Sequence, residues 1–185
     1  MCQYVREQFN AMAREYPHLG RSFGSPEEEI SDLKHRSGRV YHDGSPWPPV
    51  ALGPSDDRRY FEQLVKAIFQ AGLRWPALAS RWAAFGEVFH GFDPVAVSAM
   101  TERDVERAAQ DRRIIRHRRK IGDAVECAAI VTELSAEHGS FDAYLRSFGS
   151  PEEEIDDLRR RFPGLGDFSA WWFLQSVGLP VPPAS

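Results

Sequence analysis

Apolar residues recur at steps of three and four along most of this chain, and no stretch alternates apolar with polar as a strand does. Val5, Phe9, Met12 and Tyr16 predict an amphipathic helix over residues 1–16, broken by residues 17–24. Ser25-Pro26-Glu27-Glu28 is a helix start: serine as N-cap, proline in the first turn, glutamate to close a capping box. It predicts a short helix to about residue 36. Residues 37–54 are rich in proline and glycine and read as a long loop. From Ser55, the residues Phe61, Leu64, Val65, Ile68 and Phe69 mark a core helix that stops at Gly72. Pro76 opens another helix through Leu78, Trp82 and Phe85. Asp93-Pro94 and Thr101 to Asp104 cap two more. A long helix is expected over residues 114–137, ending at Gly139. Ser150-Pro151 starts one to about residue 161, and residues 167–177 form the last, closed by Gly178.

The chain is thus all-α. Its 185 residues suffice for one compact domain, here divided into an N-terminal helical arm over residues 1–40 and a helical domain over residues 41–185. No apolar run is long enough to cross a membrane. The N-terminus lacks the apolar core of a secretory signal, and the 2 cysteines, Cys2 and Cys127, form no disulfide framework. A reduced cytoplasmic setting is expected.

The formal net charge of −4 argues at first against nucleic acid. Its distribution changes that picture. Of the nine residues 112–120, six are Arg or Lys and none is acidic. Ile114 and Ile115 interrupt the run, so it reads as the start of a helix pinned to the core with its basic face outward. Phe162-Pro163-Gly164-Leu165-Gly166 follows three arginines and separates two helices. Glycine at such a turn permits positive φ and close backbone approach, and the amides that begin the next helix can hold a phosphate. The same sequence can also be an ordinary tight turn. The phosphate reading is favoured, with Gly164, Leu165, Gly166, Arg116, Arg118, Arg119 and Lys120 as DNA-backbone contacts.

An internal repeat stands apart. RSFGSPEEEISDL at residues 21–33 recurs as RSFGSPEEEIDDL at residues 146–158. It is either a duplicated helix start or a mimic that docks where a partner would. Trp47, in a proline-rich loop, is either a plug over the core or a stacking platform. At least one of Trp171 and Trp172 is expected in the core. The six histidines make no metal-binding spacing, and no nucleophile triad or phosphate-binding loop is present.

QAGLRW at residues 70–75, FDPVAVSAM at 92–100, DVERAAQDRRIIRHRRKI at 104–121, Tyr41-His42-Asp43 upstream and FLQSVGL at 173–179 together resemble the bacterial DNA-3-methyladenine glycosylase I family. The resemblance covers residues 41–179. It implies an all-α, helix–hairpin–helix DNA glycosylase-like domain that flips N3-alkylated adenine out of double-stranded DNA and hydrolyses its glycosidic bond. Trp75 resembles the pocket tryptophan that stacks on the base, Tyr41 the pocket tyrosine, and Trp47 the tryptophan after the YHD segment. Gln70 and Ala67 complete the implied base pocket.

Two departures bear on chemistry. The family carries a glutamate five residues before the glycine of its QAGL motif; here Ala67 stands there, preceded by Lys66. Asp43 and Glu62 are the acids that could substitute, although Glu62 reads as a solvated helix residue. The family also binds zinc through cysteine and histidine near its termini. His42 matches one ligand, but residues 179–185 offer neither type, so zinc is expected to be absent and no other cofactor is implied. The aspartate that many wider relatives carry about twenty residues past the hairpin is also missing. N3-alkylated adenine is cationic and already a good leaving group, so an aromatic cage and a water path could suffice. Excision of alkylated adenine in base-excision repair by a monomeric, nucleoid-associated enzyme is the principal expectation. The alternatives are a non-catalytic binder of damaged DNA that has lost the pocket glutamate, and a structural or interaction protein.

Overall fold

The computed structural model describes residue 50, residues 52–71 and residues 75–181, with the side chain of Trp75 outside the described atoms. The helices expected over residues 1–16 and 25–36, and the first copy of the repeat, lie outside these residues. Among the described residues the fold is all-α. The helices are α1 (Asp57–Gln70), α2 (Trp75–Ala79), α3 (Trp82–Val88), α4 (Pro94–Ser98), α5 (Glu102–Gln110), α6 (Arg118–His138), α7 (Phe141–Leu145), α8 (Pro151–Arg161) and α9 (Asp167–Ser176). A 3-10 turn, His90–Phe92, joins α3 to α4.

Helix α1 is the axis of the domain. From Gln63 to Gln70 every side chain is buried, because α6 and α9 pack along it and the 3-10 turn, α2, α4 and α7 close the remaining sides. An aromatic stack built from Trp82, Phe85, Phe89 and Phe92 covers one flank, with Phe69 edge-on to Phe85 at 4.7 Å. Trp171 and Trp172 are both in the core, at 6% and 1% exposure.

The caps read from the sequence act where expected. Asp93 accepts from the amides of Val95 and Ala96 to start α4. Asp104 accepts from the Thr101 amide and hydroxyl at 2.9 and 2.6 Å to start α5. Ser150 accepts from the Glu153 amide to start α8. Gly139 ends α6 in the left-handed region, at φ 86°.

Three boundaries differ from the sequence reading. The helix expected across residues 76–85 is two helices, broken at Ser80 and Arg81. The long helix begins at Arg118, not at Ile114: His117 caps it, while Ile114 is buried within the preceding loop. Helix α7 was not anticipated, although Ser140 caps it by accepting from the Ala143 amide at 3.0 Å.

Two buried hydroxyl–carboxylate pairs lock the far end. Tyr60 donates to Asp142 at 2.5 Å, which ties α1 to α7. Tyr144 donates to Asp157 at 2.6 Å, which ties α7 to α8. Arg146 completes the first pair and Arg161 the second, at 3.0 and 2.7 Å. These pairs set the position of α8 and hence of the hairpin that follows it.

Candidate functional site

The hairpin of residues 162–166 joins α8 to α9. Leu165 donates its amide to the Phe162 carbonyl at 3.3 Å, closing the turn. Gly164 has φ +81°, and a Cβ there would lie 3.1 Å from Asp123 Oδ2 and 3.3 Å from Ile68 Cγ2. Glycine is therefore needed twice, for its conformation and for the approach of the turn to α6 and α1. Gly166 faces open space. Phe162 and Leu165 are buried, so the turn is anchored by its side chains and exposes its backbone. The first turn of α9 begins directly after Gly166. Asp167 would oppose an incoming phosphate there, but Arg159 pairs with it at 2.7 Å across the hairpin.

The structure separates the basic residues that the sequence groups together. Arg116 and Arg119 are exposed. Arg118 is exposed too, but its guanidinium is clamped by Glu102 and Glu106 of α5. Lys120 turns inward: its ammonium donates to the carbonyls of Phe69 at 3.2 Å and Ala71 at 2.5 Å, at the open end of α1. Burial lowers its pKa to about 8, with Asp123 pulling the other way. Lys120 is thus a structural cap on α1 and not an outward phosphate ligand.

Of the implied base pocket, Ala67 and Gln70 are placed on α1, at 0% and 5% exposure. Trp75 opens α2, five residues after Gln70, the last residue of α1. Tyr41, Trp47 and Asp43 lie outside the described residues. Glu62 is part-exposed, with 27% of its side chain accessible, and is engaged by two donors: it accepts from Trp82 Nε1 at 2.8 Å and from Lys66 at 2.9 Å. Lys66 is buried over the Trp82 ring, 5.1 Å from its centre, and burial lowers its pKa. The acid on α1 nearest to Ala67 is thus already occupied by two donors. Gln63 was missed by the sequence reading. It lies one turn before Ala67 on the stripe that also carries Gln70, a spacing visible in the sequence.

Among the described residues no group of three or more His, Cys, Asp or Glu can hold a metal ion. Cys127 is buried, donates to the Pro163 carbonyl at 3.4 Å, and burial pushes its pKa up. His42 lies outside the described residues. Nor is any helix, among the described residues, long and apolar enough to cross a membrane.

An all-α domain with a glycine hairpin between its last two helices and a buried polar stripe on its axial helix is the helix–hairpin–helix glycosylase-like class. Residues 33–165 match the Methyladenine glycosylase family, and the chain belongs to that family. It is 34% identical over 116 residues to DNA-3-methyladenine glycosylase 1 of Escherichia coli (strain K12), an alignment covering 63% of this chain and 60% of that protein. It is 26% identical over 145 residues to DNA-3-methyladenine glycosylase of Haemophilus influenzae, covering 67% of this chain and 78% of that one. A crystal structure of 3-methyladenine DNA glycosylase I superposes with a TM-score of 0.59 at 28% identity, covering 71% of this chain and 81% of the other.

Proposed function

We propose that this protein is a monomeric DNA glycosylase that acts on double-stranded DNA in the bacterial cytoplasm and releases N3-methylated adenine. The observation that carries the reading is the hairpin: Gly164 holds the turn against α6 and α1, and Gly166 leaves the start of α9 open to a phosphate. Family membership supports the same chemistry. In this reading the backbone is held at the hairpin while the lesion is extruded towards the α1 stripe and Trp75. Water adds to C1′ as the C1′–N9 bond breaks. The electron pair goes to the base, which leaves neutral because it was cationic, and the water's proton passes to solvent. No carboxylate is required to activate such a leaving group, which fits Ala67.

Ala67 also favours a second reading, a binder of lesion-bearing DNA without catalysis. Release of 3-methyladenine from methylated duplex DNA under single-turnover conditions tests both. Base release supports the enzyme, and lesion-dependent binding without release supports the binder.

A further inference from the structure

Gln63, Ala67 and Gln70 follow one another on α1 at steps of four and three residues, which puts them on one stripe of the helix. Both glutamines are buried, at 4% and 5% exposure. Gln63 Oε1 and both amide atoms of Gln70 are enclosed and have no hydrogen-bond partner. Ala67 between them is fully buried and contributes only a methyl group. Buried amides are disfavoured when unpaired, so three such atoms on either side of one alanine require an explanation. The neighbouring charges do not supply one, because Glu62 is held by Trp82 and Lys66.

We infer that Gln63 and Gln70 form a neutral reading edge for the extruded base, and that this edge takes guanine alkylated at N7 as well as alkylated adenine. The inference rests on the glycosylase reading given above. A carboxylate offers only acceptors. It matches the exocyclic amine of adenine and opposes O6 of guanine. A carboxamide offers both a donor NH2 and an acceptor oxygen and can turn over about its last torsion. Gln70 can therefore accept from the adenine amine or donate to guanine O6. Gln63 Oε1 supplies a further acceptor, suited to the N1–H of guanine. The two residues are about 10 Å apart along the helix axis and flank Ala67 on the same stripe. N7-alkylated guanine is cationic in the nucleoside, like N3-alkylated adenine, and needs no carboxylate to leave.

The test uses the full-length protein and genomic DNA methylated with dimethyl sulfate, which carries both lesions. Released 3-methyladenine and 7-methylguanine are resolved by chromatography. The wild type is expected to release both. Gln70→Glu should lower the ratio of released guanine to released adenine by roughly ten-fold or more, the discrimination one base-edge pair provides. Gln70→Met and Gln63→Met should lower guanine release while the melting temperature holds or rises, since no protein hydrogen bond is lost. Two results overturn the inference while the glycosylase reading stands: release of adenine but not guanine by the wild type, or unchanged release of both bases by the methionine variants. The latter would mean that internal water alone serves the amides. Release of neither base by the wild type overturns the glycosylase reading and this inference with it.

Discussion

The Lys120 ammonium lies 2.5 Å from the Ala71 carbonyl oxygen, so the first turn of α6 closes the last turn of α1. The residue sits in the most basic segment of the chain, yet its charge serves the helix end beside the candidate pocket. Lys120→Met should lower stability by about 1–3 kcal/mol, because two part-buried carbonyls lose a charged donor. The salt dependence of DNA binding should not change. Thermal melting and binding isotherms at several salt concentrations check the two halves separately; a slope that flattens in Lys120→Met would return the residue to the DNA interface.

Arg116 and Arg119 have the exposure that phosphate contact requires. Removing both should shift the slope of log K against log salt by roughly 2, at about 0.9 per phosphate. Arg118→Ala should shift it less, because Glu102 and Glu106 already neutralise that guanidinium. Glu102→Gln with Glu106→Gln should tighten binding by freeing Arg118. Gly166→Glu, which sets a carboxylate in open space at the start of α9, should weaken binding. Equal slopes across these variants would exclude the hairpin and the basic segment as the phosphate surface.

Much of this architecture was legible because helix punctuation is local. Asp93-Pro94, Thr101 to Asp104 and Ser150-Pro151 each predict a start, and Gly139 a stop, from chemistry confined to four residues. The start of α6 was not legible. Ile114 satisfies helical spacing, but it is buried in a loop whose Asp111 side chain takes the Arg113 amide at 2.8 Å. The inward turn of Lys120 and the partners of Glu62 were not legible for a related reason. Their partners, Ala71 and Trp82, stand 49 and 20 residues away, and no local pattern announces them. The Gln63–Ala67–Gln70 stripe was legible in its spacing. That its amides are unpaired is a property of packing alone.

Glu154 offers a pH test remote from the candidate site. It is 5% exposed, its Oε1 has no hydrogen-bond partner, and burial raises its pKa to about 7 against the pull of Arg146. A carboxyl whose pKa is raised on folding favours the fold while protonated. Its contribution is present in full below the unfolded pKa of about 4.5 and is lost as pH rises through about 7. The span corresponds to roughly 3 kcal/mol. Glu154→Gln should therefore stabilise the protein above pH 7 and flatten its melting temperature between pH 5 and 8. Parallel pH profiles of wild type and variant would show that Glu154 titrates normally.

Zinc is expected to be dispensable. The chain should fold and melt identically with and without a chelator, and elemental analysis should find no stoichiometric metal. One tightly held zinc per chain would contradict this expectation and would point to ligands among residues 1–49.

Ala67 and Trp75 make the sharpest test of catalysis. Trp75 is expected to stack on the extruded base, a contact worth about 1–3 kcal/mol, so Trp75→Ala should lose most lesion recognition. Ala67→Glu places a carboxylate between Gln63 and Gln70, at a position that is 0% exposed. The unpaired Nε2 of Gln70 is a donor available to that carboxylate. Burial will raise its pKa, so the acid should stay neutral until a cationic base enters and then ionise beside it. The expected result is faster release of 3-methyladenine by Ala67→Glu than by wild type, with the gain confined to adenine because a carboxylate opposes O6 of guanine. Single-turnover release by wild type, Ala67→Glu and Trp75→Ala measures this directly. Rapid release of neutral purine lesions by the wild type would refute an enzyme limited to cationic bases, since neutral bases need leaving-group activation that Ala67 cannot give. Inactivity of both wild type and Ala67→Glu with lesion binding intact would establish the binder instead.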